Sequence, residues 1–371
     1  MLTLASRIHG SLTESQQLGQ STRTALAGLS PLLAIALAGL AAPSAAAADA
    51  ESTHARYCST TTALAFLACR NANQDSFQIA TAICLNLSDE DERKKCEEDA
   101  EDAREEGHDL CRDQQHARRD VCRLIGEGRY DPDFDPDLFD EDFGNTNPYY
   151  PLAVGNQREY EGDGETVSIE VLDRTKSIEG VTCIVVNDRV FVDGVIVEDT
   201  DDWFAQAKNG DVWYCGEEVK DYETFEDDDP VLPELVSIDG SFKAGRDGDK
   251  PGIVFRDIPR RNEAYRQEFS LGNAEDVAHV VSVSYRYGVD AELDRFVPED
   301  LADLLCAAGD CVVVHEFSPL EPQASERKFY AAHIGEFLGV DLVNGTTVQL
   351  VDCNYDPRCA QLPPPAPASA N

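Results

Sequence analysis

The chain carries two different rhythms of apolar and polar residues. Between residues 52 and 125 the apolar positions are sparse. They fall in two arms, 52–86 and 89–125, that contain no proline and a single glycine, Gly107, so each arm can run as one long helix. From Leu152 onward the alternation has period two, in short runs such as ETVSIEVL, VTCIVV, RVFVDGVIVE, DWFAQA and DVWYC, and later PGIVF, AHVVSVSYRYG, CVVVHEFSPL, KFYAAHI and TVQLVD. Gly, Asn and Asp separate these runs, as turns between strands require. VPEDLADLLCAAGDC, opened by Pro298 and closed by Gly309, has the one clear helical pattern in this half. The pattern predicts an α+β chain: an antiparallel helical hairpin followed by an antiparallel β-rich domain, a curved sheet or half-barrel. Such an order of elements disfavours a parallel nucleotide-binding sheet.

The flanks add an address and a tail. Residues 25–41, ALAGLSPLLAIALAGLA, are uncharged and apolar, follow Arg7 and Arg23, and precede the small-residue run PSAAAADA. This is the layout of a secretory signal, with cleavage expected after Ala46-Ala47-Ala48. Gly28, Pro31 and Gly39 interrupt the stretch, and it is shorter than the ~20 residues of a spanning helix, so no membrane span is expected in the mature chain. The expected organisation is a signal peptide at 1–48, the hairpin at 49–127, an acidic connector at 128–148, the β-rich domain at 149–361 and a disordered Pro-rich tail at 362–371.

Cysteine spacing sharpens the picture. Six of the twelve cysteines lie between residues 58 and 122 at intervals of 11, 15, 12, 15 and 11. The palindrome is what a chain folded back near residue 90 would show. It pairs Cys84 with Cys96, Cys69 with Cys111 and Cys58 with Cys122, one of fifteen possible arrangements. Ser88 reads as the N-cap of the second arm, ahead of four acids that suit a helix N-terminus. Because the arms share few apolar residues, the cross-links are expected to supply cohesion that burial does not. In the second half, Cys306 with Cys311 and Cys353 with Cys359 form local pairs, leaving Cys183 with Cys215 by elimination. No C-x2-C occurs, which removes the usual support for zinc or haem. An even cysteine count beside a signal peptide places the protein in an oxidising space, periplasmic or extracellular. The formal charge of -40, from 71 acids against 31 basic residues, repels nucleic acid.

Candidate chemistry lies in three places. Asp131, Asp133, Asp135, Asp137 and Asp142 repeat the spacing of a calcium loop, although Pro136 stands where such a loop needs Gly. The same segment also reads as a plain acidic linker held down by Phe134, Leu138, Phe139 and Phe143. Asn209-Gly210 predicts a two-residue hairpin turn that pairs Lys208 with Asp211, Gln206 with Trp213 and Phe204 with Cys215. That register puts Trp203 and Tyr214 on a face which either a helix covers or a ligand uses. Between Lys243 and Arg266 seven basic residues meet four acids, a locally positive stretch in which Arg260 and Arg261 could grip a carboxylate or phosphate. Ser325-Glu326-Arg327-Lys328 fits S-x-x-K without its companion elements, and His315-Glu316 is an adjacency at a strand end.

YYPLAVGNQREYEGDGETVSIEV, GVTCIVV, DDWFAQAKNGDVWYCGE and KFYAAHIGEFL resemble a broad group of secreted bacterial β domains, similar in outline to the half-barrels of periplasmic lipoprotein carriers. The resemblance spans residues 149–352, with His333-Ile334-Gly335 where a Pro-Gly element is expected, and implies a concave sheet suited to an apolar ligand or partner. No nucleotide loop, hydrolase elbow or metalloprotease signature appears. The chain therefore reads as an exported, non-catalytic binding or envelope-interaction protein with an acidic surface able to take up cations such as calcium. The alternatives are a carrier of an apolar ligand and a hydrolase assembled from distant residues.

Overall fold

The structure is a computed structural model that describes residues 56–143, 147–162 and 164–365. The expected signal peptide, residues 49–55 and the end of the tail lie outside the described residues.

Two helices, α1 (Tyr57–Cys84) and α2 (Glu90–Ile125), form the hairpin. Disulfides join Cys58 to Cys122, Cys69 to Cys111 and Cys84 to Cys96. The buried positions of the two helices are Cys58, Cys84, Cys111 and Cys122 together with Thr62, Ala100, Arg118 and Val121, Cys69 and Cys96 are half-buried, and Leu64, Leu67, Leu110 and Leu124 are exposed. The second helix starts one residue later than the sequence suggests. Asp89 rather than Ser88 is its N-cap, because the Asp89 carboxylate accepts the amide hydrogens of Asp91 and Glu92. At the lone Gly107 a Cβ would meet the Asn73 side chain, whose amide donates to the Arg104 carbonyl at 2.8 Å. At the open end, Glu127 caps α1 from a distance, its carboxylate accepting the Ser59 amide at 2.9 Å.

The second half holds strands β1 (Gln157–Gly162), β2 (Glu165–Ile178), β3 (Val181–Val192), β4 (Val195–Gln206), β5 (Val212–Glu218), β6 (Asp221–Thr224), β7 (Pro233–Ser237), β8 (Phe242–Lys243), β9 (Gly252–Phe255), β10 (Ala264–Arg266), β11 (Val277–Tyr285), β12 (Cys311–Phe317), β13 (Glu326–Ala331), β14 (Gly335–Asp341) and β15 (Thr347–Cys353). All pair antiparallel in one open sheet whose main path runs from β10 through β15 to β1 and on to β5 and β8, with β9 against β5. The helix α3 (Glu299–Cys306) follows Pro298 and buries Leu301, Ala302 and Leu305. Cys306–Cys311 and Cys353–Cys359 close local loops, and Cys183–Cys215 ties β3 to β5. The six disulfides indicate an oxidising, extracytoplasmic environment. No described helix is long and apolar enough to cross a membrane.

The sheet curls around side chains of its own. Phe204 stacks on Tyr214 at 4.9 Å, and Phe255 reaches Tyr330 on the far side at 4.7 Å. Polar residues share this core: Lys328 Nζ lies 2.8 Å from Glu316, which also accepts from Gln267 at 2.8 Å. Burial pushes the Glu217 and Glu326 carboxyls up to about 8 and that of Glu336 up to about 7. These acids keep their protons in the folded chain at pH values where the unfolded chain has lost them. Their contribution to stability is complete below the ordinary carboxylate range and is lost as pH rises toward 8. The melting temperature is therefore expected to fall by roughly 5 °C between pH 5.5 and 8.5. Calorimetry across that range checks this, and Glu217→Gln with Glu326→Gln should flatten the slope, whereas a general charge effect would leave it unchanged.

The hairpin β4–β5 departs from the expected register. Phe204 pairs with Tyr214 and Gln206 with Val212. The Ala207 amide donates to Asp211 O, so the turn holds three residues, Lys208, Asn209 and Gly210, with Gly210 at φ +89°. The added residue, and a bulge at Trp203/Phe204, put Phe204 and Tyr214 on the inner face and Trp203, Trp213 and Cys215 on the outer one. Among the described residues no α-helix covers that outer face. The connector does, placing Phe134 and Phe139 each 5.8 Å from the Trp213 ring. Pro136 opens a one-turn 3-10 helix at Pro136–Leu138, a position that needs no amide hydrogen.

Candidate functional site

A buried contact docks the hairpin on the sheet. Arg118 on α2 reaches Glu275 in a two-pronged ion pair, Nε to Oε2 at 2.8 Å and Nη2 to Oε1 at 2.7 Å, with both side chains almost wholly buried. Gln114 adds a bond to the Leu320 carbonyl at 2.9 Å. This docking leaves a cleft of about 600 Å³ at the hairpin's open end.

Three parts of the chain line the cleft. The hairpin gives Tyr57, Cys58, Thr61 and Ile125; the connector gives Arg129, Tyr130, Asp131 and Pro132; the sheet gives Trp213, Ile253, Arg256, Tyr265, Arg266 and Phe269. Tyr130 and Phe269 pack at 4.8 Å between ring centres. Burial raises the Tyr130 phenol to about 12, and the hydroxyl donates to the Pro251 carbonyl at 2.9 Å. Arg129 lies over the Tyr57 ring at 4.4 Å and donates to its hydroxyl at 2.7 Å. Arg256 is bound to Asp211 at 2.9 Å and lies 3.4 Å from Glu263. The single lining carboxylate, Asp131, is held by Lys250 at 2.8 Å, which keeps its carboxyl below the usual range. In a chain of charge -40 the cleft is thus a locally cationic, aromatic surface.

Arg266 differs from the other two arginines. It is 8% exposed, stacks on Phe269 at 5.0 Å and on Tyr130 at 5.7 Å, and its Nε and Nη1 have no hydrogen-bond partner among the described residues. Its neighbour Tyr265 is 6% exposed, and its hydroxyl also lacks a partner among them. Buried donors left unbonded are costly, so these two positions are short of an acceptor.

Of the metal and ligand candidates read from the sequence, only Asp131 lines this cleft. Arg260 and Arg261 are exposed; Trp203 is buried under the Lys176 ammonium, and Tyr214 is buried with its hydroxyl on Asp202. The connector acids are spread out. Asp135 caps the 3-10 turn by accepting from Asp137, while Asp133 and Asp137 are exposed. Among the described residues no three His, Cys, Asp or Glu side chains gather as a metal site would. Ser325 Oγ is 2.8 Å from His315 Nε2, whereas Lys328 pairs with Glu316 and Glu326. Sequence reasoning missed Arg256 and Arg266, although both belong to the basic stretch that it marked. No family model matches the chain, and neither a curated protein nor a solved structure matches it.

Proposed function

We propose that this is an exported, non-catalytic binding protein, working in the periplasm or outside the cell, that holds a small organic ligand in the cleft between hairpin, connector and sheet. The observation that carries the reading is the pairing of aromatic walls with unbonded buried donors in one concave site. The sheet's own concavity is filled by Phe204, Tyr214, Phe255 and Tyr330, which supports the cleft over the sheet interior as the place for a ligand.

The test is a fluorescence titration of the full exported chain with the neutral probe N-phenyl-1-naphthylamine. Saturable binding at one site is expected, and Ile253→Trp, which fills the cleft, should weaken it about tenfold or more. Absence of saturable binding would overturn the reading. So would a calcium-dependent rise in melting temperature, lost when Asp131, Asp133 and Asp135 become Asn, together with unchanged probe binding in Ile253→Trp; function would then lie in the connector.

A further inference from the structure

Beside Arg266 stands Glu275, and Glu275 is already taken. Both of its oxygens bind Arg118, and Oε1 also accepts the Gly272 amide at 2.7 Å. Glu275 therefore balances Arg118, no ion pair among the described residues reaches Arg266, and one positive charge is left over next to the cleft. Arg118 Nη1 has no hydrogen-bond partner among the described residues either. A buried cation without a counterion is costly, and one negative charge from outside the chain would complete the arrangement. The stacking of Arg266 on Phe269 and Tyr130 uses the faces of the guanidinium. On its edge, Nε and Nη1 are left without an acceptor.

Resting on the reading of the cleft as a ligand site, we propose that the ligand is an organic anion: a flat apolar body between Tyr57, Tyr130, Trp213 and Phe269, carrying a carboxylate, sulfonate or phosphate head that Arg266 receives. A space of about 600 Å³ suits a molecule of drug size and is too small for a two-chain lipid. Asp131 does not oppose the head, because its charge is spent on Lys250.

The experiment compares two probes with the same aromatic body on the full, disulfide-bonded chain: 1-anilinonaphthalene-8-sulfonate and the neutral N-phenyl-1-naphthylamine. The sulfonate should bind about tenfold tighter, and Arg266→Gln should bring the ratio of the two affinities to about one. Arg266→Lys, which keeps the charge, loses the planar fork and serves if the glutamine variant fails to fold, should weaken the sulfonate about threefold or more. Raising the salt concentration should weaken the sulfonate and not the neutral probe. Competition by benzoate and by decanoate distinguishes aromatic from alkyl acids, and a preference for decanoate would overturn the flat-body assignment. Equal affinities of the two probes in the wild type, or a ratio untouched by both variants, would overturn the anion inference and leave the cleft reading standing. If neither probe saturates, the cleft reading itself fails.

Discussion

Replacing all six hairpin cysteines by Ala is expected to melt the hairpin while the sheet stays folded. Few side chains besides the sulfurs are buried between α1 and α2, and several of the large apolar ones face water. Cohesion must therefore come from restricting the unfolded chain. By loop length, the bridge across 12 residues contributes about 3 kcal/mol and those across 42 and 64 residues about 4 kcal/mol each. The two helices hold nearly all of the helical residues of the described chain. Far-UV circular dichroism of the variant should accordingly lose most of its helical signal, with the sheet contribution retained. A variant that keeps its helical signal and melts within a few degrees of the wild type would show that side-chain packing alone holds the arms together.

The second large effect is at the docking contact. Arg118→Met leaves the Glu275 carboxylate buried without its ion partner and should cost about 3–5 kcal/mol. At this size that corresponds to a drop in melting temperature of roughly 10 °C, measurable by calorimetry. The double variant Arg118→Met with Glu275→Gln removes both charges and should recover more than half of the loss. A single variant as stable as the wild type would mean that the hairpin is held on the sheet by other contacts, such as Gln114 to Leu320.

These contacts were unequally legible in the sequence. The hairpin could be read because helical rise converts equal spacings into opposed sulfurs, a relation between residues close along two rods. The strands could be read from alternation, but alternation does not say what covers the outer face. Phe134 and Phe139 do so here, across a separation in sequence that no local pattern reports. The β4–β5 register slipped because Asn209-Gly210 suits both a two-residue and a three-residue turn, and the choice inverts which of Trp213 and Tyr214 points inward. The cleft could not be read at all as a site. It joins segments near residues 57, 130, 213 and 266, and only the surplus of basic residues up to Arg266 hinted at it. Within that surplus the adjacent Arg260-Arg261 pair drew attention, while burial is what separates Arg266 from both.

The bridge between Cys84 and Cys96 spans the bend at residues 85–89. A secreted protease that clips the bend therefore produces two peptides that still travel as one molecule, with a mass greater by a single water. Any single clip between Cys58 and Cys122 has the same outcome, since the outermost bridge joins the fragments on either side. The hairpin can be nicked without being shed, and the surface it presents to the cleft outlasts damage to its backbone until a reductant arrives.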